Sequence, residues 1–238
     1  KGKLRFNPVL NKVYHFSLAK YSIKSWTYQS VPIKIYDTVY IDFSLQNIHQ
    51  SDTSVTCNLT WNAFIWKGKF KVNYIRDSLH ALSTTVVMSD SGKIEYVQDM
   101  NKILTDIEKD SNTDKYLRCV SPDQMCKDAI TDLLNRIFSV IPAQEVKVKA
   151  TWISDITLIT NHPVNISNFN VLKNLNGDTA TIEIQSNAFA RPSPGDDPYI
   201  QGNQAGSALV SYSTGIPFWY STQSEIITKT SFYDVHQL

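Results

Sequence analysis

Hydrophobic and polar residues alternate with a period of two along most of this chain, the mark of strands with one buried face. The clearest run sets Val55, Cys57, Leu59, Trp61, Ala63 and Ile65 against Thr56, Asn58, Thr60 and Asn62. Within Val31–Ile48, residues Val39, Ile41, Phe43 and Leu45 share a face opposite Tyr40, Asp42, Ser44 and Gln46. Further strands are predicted over Val13–Leu18, Tyr21–Tyr28, Phe70–Tyr74, Leu79–Met88 and Ile94–Val97. A second set follows over Val146–Thr160, Val164–Leu175, Ala180–Ile184, Ala208–Tyr212, Ile216–Tyr220 and Glu225–Val235. Lys67-Gly68-Lys69 and Asp90-Ser91-Gly92 read as hairpin turns. Asn176-Gly177 predicts a type I′ turn, in which both central positions need positive φ. Arg191–Gly206, rich in Pro, Gly and Asp, reads as a long loop.

Only the middle of the chain changes period. Val97, Met100, Ile103, Leu104 and Ile107 recur at steps of three and four, which predicts one amphipathic helix. A second is predicted where Ser121 caps, Pro122 takes the first helical position and Gln124 reaches back to the cap. Ala129, Ile130, Leu133, Leu134, Ile137, Phe138 and Ile141 form its apolar stripe, and Pro142 stops it. Such helices need a sheet to cover. The expected class is therefore α+β: a large twisted antiparallel sheet with two central helices packed on one face. Wrapped as a half-barrel, it would be similar in geometry to lipoprotein carriers. The expected organisation is one β-rich domain with two strand-rich halves, residues 4–97 and 145–236, joined by a helical segment, 98–141. A weak echo links the halves: Val87 to Gly92 and Val210 to Gly215 each run from a strand into a Ser/Thr-Gly turn and a return strand. Common hairpin chemistry also produces such an echo, so the residues leave duplication open.

Composition narrows the function classes. The 238 residues include 12 Tyr, 10 Phe and 5 Trp, as suits well-filled sheets. A net charge of +1 offers no electrostatic reason for a nucleic-acid partner, and none is expected. No apolar run approaches the roughly 18 residues of a membrane span. A start at Lys1 rather than Met reads as a processed or truncated chain. Of the three cysteines, Cys57 lies on an apolar strand face as a small hydrophobe. Cys119 and Cys126 are close enough for a candidate disulfide in an oxidising compartment, and no His stands near enough to make them a metal site.

Catalytic chemistry finds little support. His15, His49, His80, His162 and His236 are scattered singly, and no Ser sits in a nucleophile elbow. Asp196 and Asp197 are an acidic pair in a loop, more often solvated than calcium-binding. No enzyme activity, metal or cofactor is expected. The aromatic residues stand out instead. Trp26, Tyr28, Phe64, Trp66, Phe218, Trp219 and Tyr220 would place large rings on both faces of a sheet, with Phe64 and Trp66 opposite Trp61. Core packing is the commoner use of such residues; the alternative makes them the candidate ligand-binding set.

Several turn and packing features resemble an uncharacterised family of Bacteroidetes-type cell-envelope lipoproteins of unknown function. They are Ser91-Gly92-Lys93-Ile94, Ile141-Pro142-Ala143-Gln144-Glu145-Val146-Lys147-Val148 leading to Trp152, Asn170-Val171-Leu172 through Ala180-Thr181-Ile182, and Gly202 to Gly206 followed by Ser213-Thr214-Gly215. They cover roughly residues 85–238. The resemblance implies location in the bacterial envelope, periplasmic or attached to the outer membrane, with membrane contact only through a lipidated cysteine upstream of Lys1. It implies no chemistry. The expected function is a non-catalytic envelope protein that binds a lipid or other apolar or amphiphilic ligand between helices and sheet. The alternative is a structural or scaffolding protein that binds an envelope protein partner.

Overall fold

The computed structural model describes residues 4–28, 31–67, 72–75, 83–98, 127–158, 164–190, 199–229 and 234–237. In chain order its elements are β1 (Val13–Tyr28), β2 (Val31–Gln50), β3 (Ser54–Lys67), β4 (Val72–Ile75), β5 (Ser83–Ser89), β6 (Ile94–Val97), α1 (Lys127–Phe138), β7 (Thr151–Leu158), β8 (Val164–Asn176), β9 (Thr179–Ala190), β10 (Tyr199–Ser211), β11 (Pro217–Lys229) and β12 (Asp234–Gln237). The strands lie in the order β6-β5-β3-β2-β1-β12-β11-β10-β9-β8-β7, and β4 pairs with β3 off this path. All pairings are antiparallel. Two five-stranded meanders, β1-β2-β3-β5-β6 and β7-β8-β9-β10-β11, are thus joined in the sheet through β12.

The expectation of an α+β fold with two central helices is overturned. The structure is mostly β, its sheets are not closed, and one short helix is present among the described residues. A helix of three turns cannot make a layer over a sheet this wide. It fills a gap instead. β6 and β7 end the strand path, and α1 packs against both and against β11. Ile130, Leu134, Ile137 and Phe138 of α1 are buried at helical spacing, as the apolar stripe predicted. Covering bare sheet edges in this way also guards against edge-to-edge association. The first predicted helix and the Cys119–Cys126 pair lie outside the described residues.

The alternation in β3 is as expected: Val55, Cys57, Leu59 and Trp61 are buried in the main core. That core takes side chains from both meanders, from α1 and from the segment ahead of β1. Two local expectations fail. Tyr199–Gly206, read as loop, is the first part of β10 and pairs on both sides with β9 and β11. Its glycines hid the strand pattern. Gly206 is needed there, because a Cβ would stand 2.2 Å from the carbonyl oxygen of Ser221. The β8–β9 hairpin forms, but its two-residue loop is Gly177–Asp178, with positive φ at Gly177 only (56°). That is the type II′ pattern, not I′.

The echo between halves proves to be a structural repeat. Asn11 (φ 62°) and Lys149 (φ 72°) each sit two residues before the first strand of a meander. Their N–H groups donate to the carbonyls of Asn47 at 2.8 Å and Leu172 at 2.7 Å. The next residue of β2 and of β8, Ile48 and Lys173, is in each case an extra residue that bulges out of the ladder. At the next turn, Asp90 N–H donates to Thr53 C=O at 3.1 Å, and Tyr212 N–H donates to Asp178 C=O at 2.7 Å. Ser89 and Ser211 open the following turns, which reach Gly92 (φ 75°) and Gly215 (φ 66°). Bulges at Glu95 and Phe218 then start the last strands. Hairpin chemistry alone would not place all these irregularities in one order twice.

The segment ahead of β1 crosses between the two repeated turns. Phe6 N–H donates to Asp90 C=O at 2.6 Å, and Asn7 N–H donates to Thr214 C=O at 2.8 Å. Leu4, Phe6 and Pro8 are buried. A Cβ on Gly215 would stand 2.1 Å from the Arg5 carbonyl oxygen, so the strap can lie this close only over glycine.

Candidate functional site: the seam between β1 and β11

The repeat leaves two junctions between the meanders, and they are filled differently. At one, α1 lies between β6 and β7. At the other stands only β12, which pairs with Lys24 and Ser25 of β1 and with Ile226–Lys229 of β11. Among the described residues, Val13–Ile23 of β1 and Pro217–Glu225 of β11 have no ladder partner on the facing edges. On the β11 side of this seam, α1 packs against the strand.

Its two rims differ in chemistry. On the β1 side, half-buried Tyr14, Phe16 and Leu18 pack against the core. Phe16 stacks on Phe43 with centroids 4.9 Å apart, and Phe43 lies 6.1 Å from Trp61. Phe138 of α1 meets Phe16 edge-on at 5.9 Å and Phe6 at 5.0 Å. Such pairs add about 0.5–1.5 kcal/mol each beyond area burial. Phe16, Phe43 and Trp61 are register partners across β1, β2 and β3, so they form one aromatic row.

On the β11 side, half-buried Tyr220, Thr222 and Ser224 line the rim. Behind them runs a row of register partners across all five strands: Ser224, Gln204, Ser186, Asn168 and Ser154. Asn168 and Ser186 are each only 3% exposed. Ser186 Oγ donates to Asn168 Oδ1 at 2.5 Å, and Asn168 Nδ2 donates to Ser139 Oγ, just past α1, at 3.1 Å. The polar row separates the main core from a small apolar cluster of Val164, Ile166, Ala188 and Ala190.

These two rows occupy equivalent places in the repeat. Phe16 and Ser154 lie five residues after Asn11 and Lys149, Phe43 and Asn168 four before Asn47 and Leu172, and Trp61 and Ser186 eight after Thr53 and Asp178. One meander thus presents rings where the other presents hydroxyls and amides. Helix α1 spans them, with Phe138 toward the rings and Ser139 beyond its end toward the amides.

Charge enters through α1. Burial pushes the Arg136 guanidinium below its ordinary value, opposed by the charges of Asp132 and Tyr220. Burial likewise pushes the Tyr220 phenol up, against side-chain hydrogen bonds with Thr222 and Gln204 and the charge of Arg136. A partly desolvated cation and phenol therefore act on each other where α1 packs against β11. Next to the polar row, Trp152 and Asn170 are register partners of β7 and β8, and two of their polar atoms are buried without a partner: Trp152 Nε1 and Asn170 Oδ1. Asn170 Nδ2 is engaged with Ser154 Oγ at 2.9 Å. Buried polar atoms are almost always paired in folded proteins; Asn47 Oδ1 and Trp61 Nε1 are two more such atoms among the described residues.

Of the predicted ligand-binding set, Tyr220 lies at the seam, and among the described side chains it is the one that does. Phe218 and Trp219 are 57% and 47% exposed, because the bulge at Phe218 turns both outward. Trp26 and Tyr28 lie at the far end of β1. Ser25 is level with Ile227 through His236, which leaves Tyr220 seven residues back along β11, about 23 Å away. An extra residue, Asn62, interrupts the register of β3, and beyond it Phe64 and Trp66 pair with Ile41 and Val39. The side chains of Trp26, Tyr28, Phe64 and Trp66 lie outside the described residues. The missed residues left a trace: Asn168 and Asn170 sit on the apolar phase of β8 between Ile166 and Leu172.

Elsewhere the site residues of chemistry stay apart. Burial pushes the Cys57 thiol up to about 12, which leaves it an inert core residue. His15 Nδ1 lies 2.9 Å from Ser44 Oγ, which also accepts from Asn62 Nδ2 at 2.7 Å. Among the described residues, no three His, Cys, Asp or Glu side chains gather as a metal site would need. No described helix is long and apolar enough to cross a membrane.

No curated protein and no solved structure matches the chain. A family model does match, over residues 66–217, from the end of β3 to the first residue of β11. The match supports the expectation of an uncharacterised family, while a Bacteroidetes origin and lipoprotein nature are not part of it. Because the match covers more than half of the sequence, the chain belongs to DUF6263, a family of unknown function.

Proposed function

We propose that this is a non-catalytic binding protein that holds an amphiphilic ligand in the seam, between α1 and the two meanders. The observation that carries this reading is the division of equivalent rows into an aromatic wall, Phe16-Phe43-Trp61, and a polar wall, Ser154-Asn168-Ser186, with half-buried residues on both rims. An apolar tail against the rings and a polar head against the hydroxyls and amides would each replace water with a matching surface. The envelope setting belongs to this reading through the resemblance alone. Native mass spectrometry of the purified protein, followed by organic extraction, tests it. A near-stoichiometric amphiphile is the expected result. A clean unliganded mass that does not change on incubation with envelope lipids would sink it.

A second reading, a scaffold for a protein partner, draws on the outer surface. Ile153 and Phe169 are register partners on β7 and β8, 59% and 46% exposed, beside the end strand of the sheet. Substituting both by Ser would abolish partner capture if this reading holds, and would leave amphiphile binding unchanged.

A further inference from the structure

We propose that the polar row is a head-group subsite for a neutral, hydroxyl-rich head such as a polyol or sugar, with Trp152 and Asn170 as its innermost contacts. This rests on the reading of the seam as an amphiphile site and adds the chemical class of the head.

The row runs inward from the seam. Ser224 and Gln204 are half-buried on β11 and β10, while Ser186 and Asn168 are buried on β9 and β8. Every side chain along it is a neutral hydroxyl or amide, so it offers hydrogen bonds of both senses and no charge. An ionised head would lose its hydration there without a counter-charge on the sheet, which is costly in a buried place. Arg136 does not supply that counter-charge freely, since Asp132 already acts on it.

The unpaired atoms sharpen the class. Trp152 is 8% exposed and Asn170 fully buried, and as register partners they share the inner face one row from Ser154 and Asn168. Trp152 Nε1 can only donate, and Asn170 Oδ1 can only accept. A hydroxyl can pair with either, accepting from the indole or donating to the amide oxygen. A carboxylate satisfies the first and repels the second, and a quaternary ammonium does neither.

The probes are three amphiphiles with the same eight-carbon tail, used below their micelle concentrations: octyl glucoside, octanoate and octyltrimethylammonium. Calorimetric titration of the full chain should show octyl glucoside binding at least tenfold more tightly than either ion. Trp152→Phe, which keeps the ring and removes the donor, should weaken octyl glucoside about tenfold. Gln204→Leu, at the half-buried end of the row, should act the same way and serves if Trp152→Phe does not fold. Equal binding of octanoate and octyl glucoside, or no change in octyl glucoside affinity in either variant, overturns the head-group assignment while the seam stands as a tail site. Failure of all three probes, together with no co-purifying amphiphile, overturns the seam reading itself.

Discussion

At equivalent places in the two meanders stand Phe16, Phe43 and Trp61 in one and Ser154, Asn168 and Ser186 in the other. The backbones around these rows share bulges, left-handed residues and turn hydrogen bonds. The side chains do not. A repeat that keeps its irregular backbone while its interior diverges shows which features the fold requires. Bulges and turns set how each meander curls, so they are retained in both. The inner rows have only to fill or satisfy the space between the meanders, and two chemistries do so. A symmetric interior would take a symmetric ligand or none. This one has an apolar side and a polar side.

The comparison can be broken most sharply at the aromatic row. Phe43→Ala removes a fully buried ring between Phe16 and Trp61, and urea denaturation should show a loss of about 4 kcal/mol. A loss near 1 kcal/mol would mean the aromatic wall is loosely packed and not the core of the first meander. The two repeat glycines come next. Gly215→Ala meets the Arg5 backbone at 2.1 Å as well as an unfavourable φ, and should cost about 3 kcal/mol. Gly92→Ala meets Phe138 at 3.0 Å and should cost about half as much. Equal thermal shifts in the two variants would show that the strap does not press on the second turn.

Asn168→Leu should cost about 1 kcal/mol, because it strands the hydroxyls of Ser186 and Ser139. A gain in stability would mean that folding alone does not require the polar row. The smallest effect separates the turns. Asp178 accepts hydrogen bonds from Ser211 Oγ at 2.7 Å and from Ser213 N–H at 2.7 Å, whereas Thr53, its counterpart, has no carboxylate. The Ser211 hydroxyl chiefly holds the Asp178 carboxyl below the usual range; desolvation opposes it, and the N–H and hydroxyl of Ser213 add to the lowering. A lowered folded value means that its stabilisation is present above the ordinary carboxylate range and is lost as pH falls through the lowered value. Acid unfolding followed by circular dichroism should therefore show Asp178→Asn slightly less stable than the natural protein at neutral pH, with the difference gone in strong acid. A constant difference at every pH would remove Asp178 from the acid response.

Much of the fold was legible because burial of one strand face writes itself into the residues. The alternation of β3, the hairpin between β8 and β9 and the apolar stripe of α1 could all be read directly. The first part of β10 could not, because Gly202 and Gly206 look like loop residues until both neighbouring strands are known. The candidate site was legible only in part. The bulge that turns Phe218 and Trp219 outward leaves no local mark in the sequence.

Local sequence, then, determined which segments are strands, where the helix lies and where several of the turns fall. These depend on periodicity and on backbone preferences a few residues long. Tertiary structure alone decided that the chain repeats, that α1 fills one junction and β12 only part of the other, and that polar and aromatic rows occupy equivalent places. Those outcomes depend on register between strands far apart in the chain. One extra residue at Ile48, Asn62, Lys173 or Phe218 changes which side chains meet, and no short window of sequence carries that information.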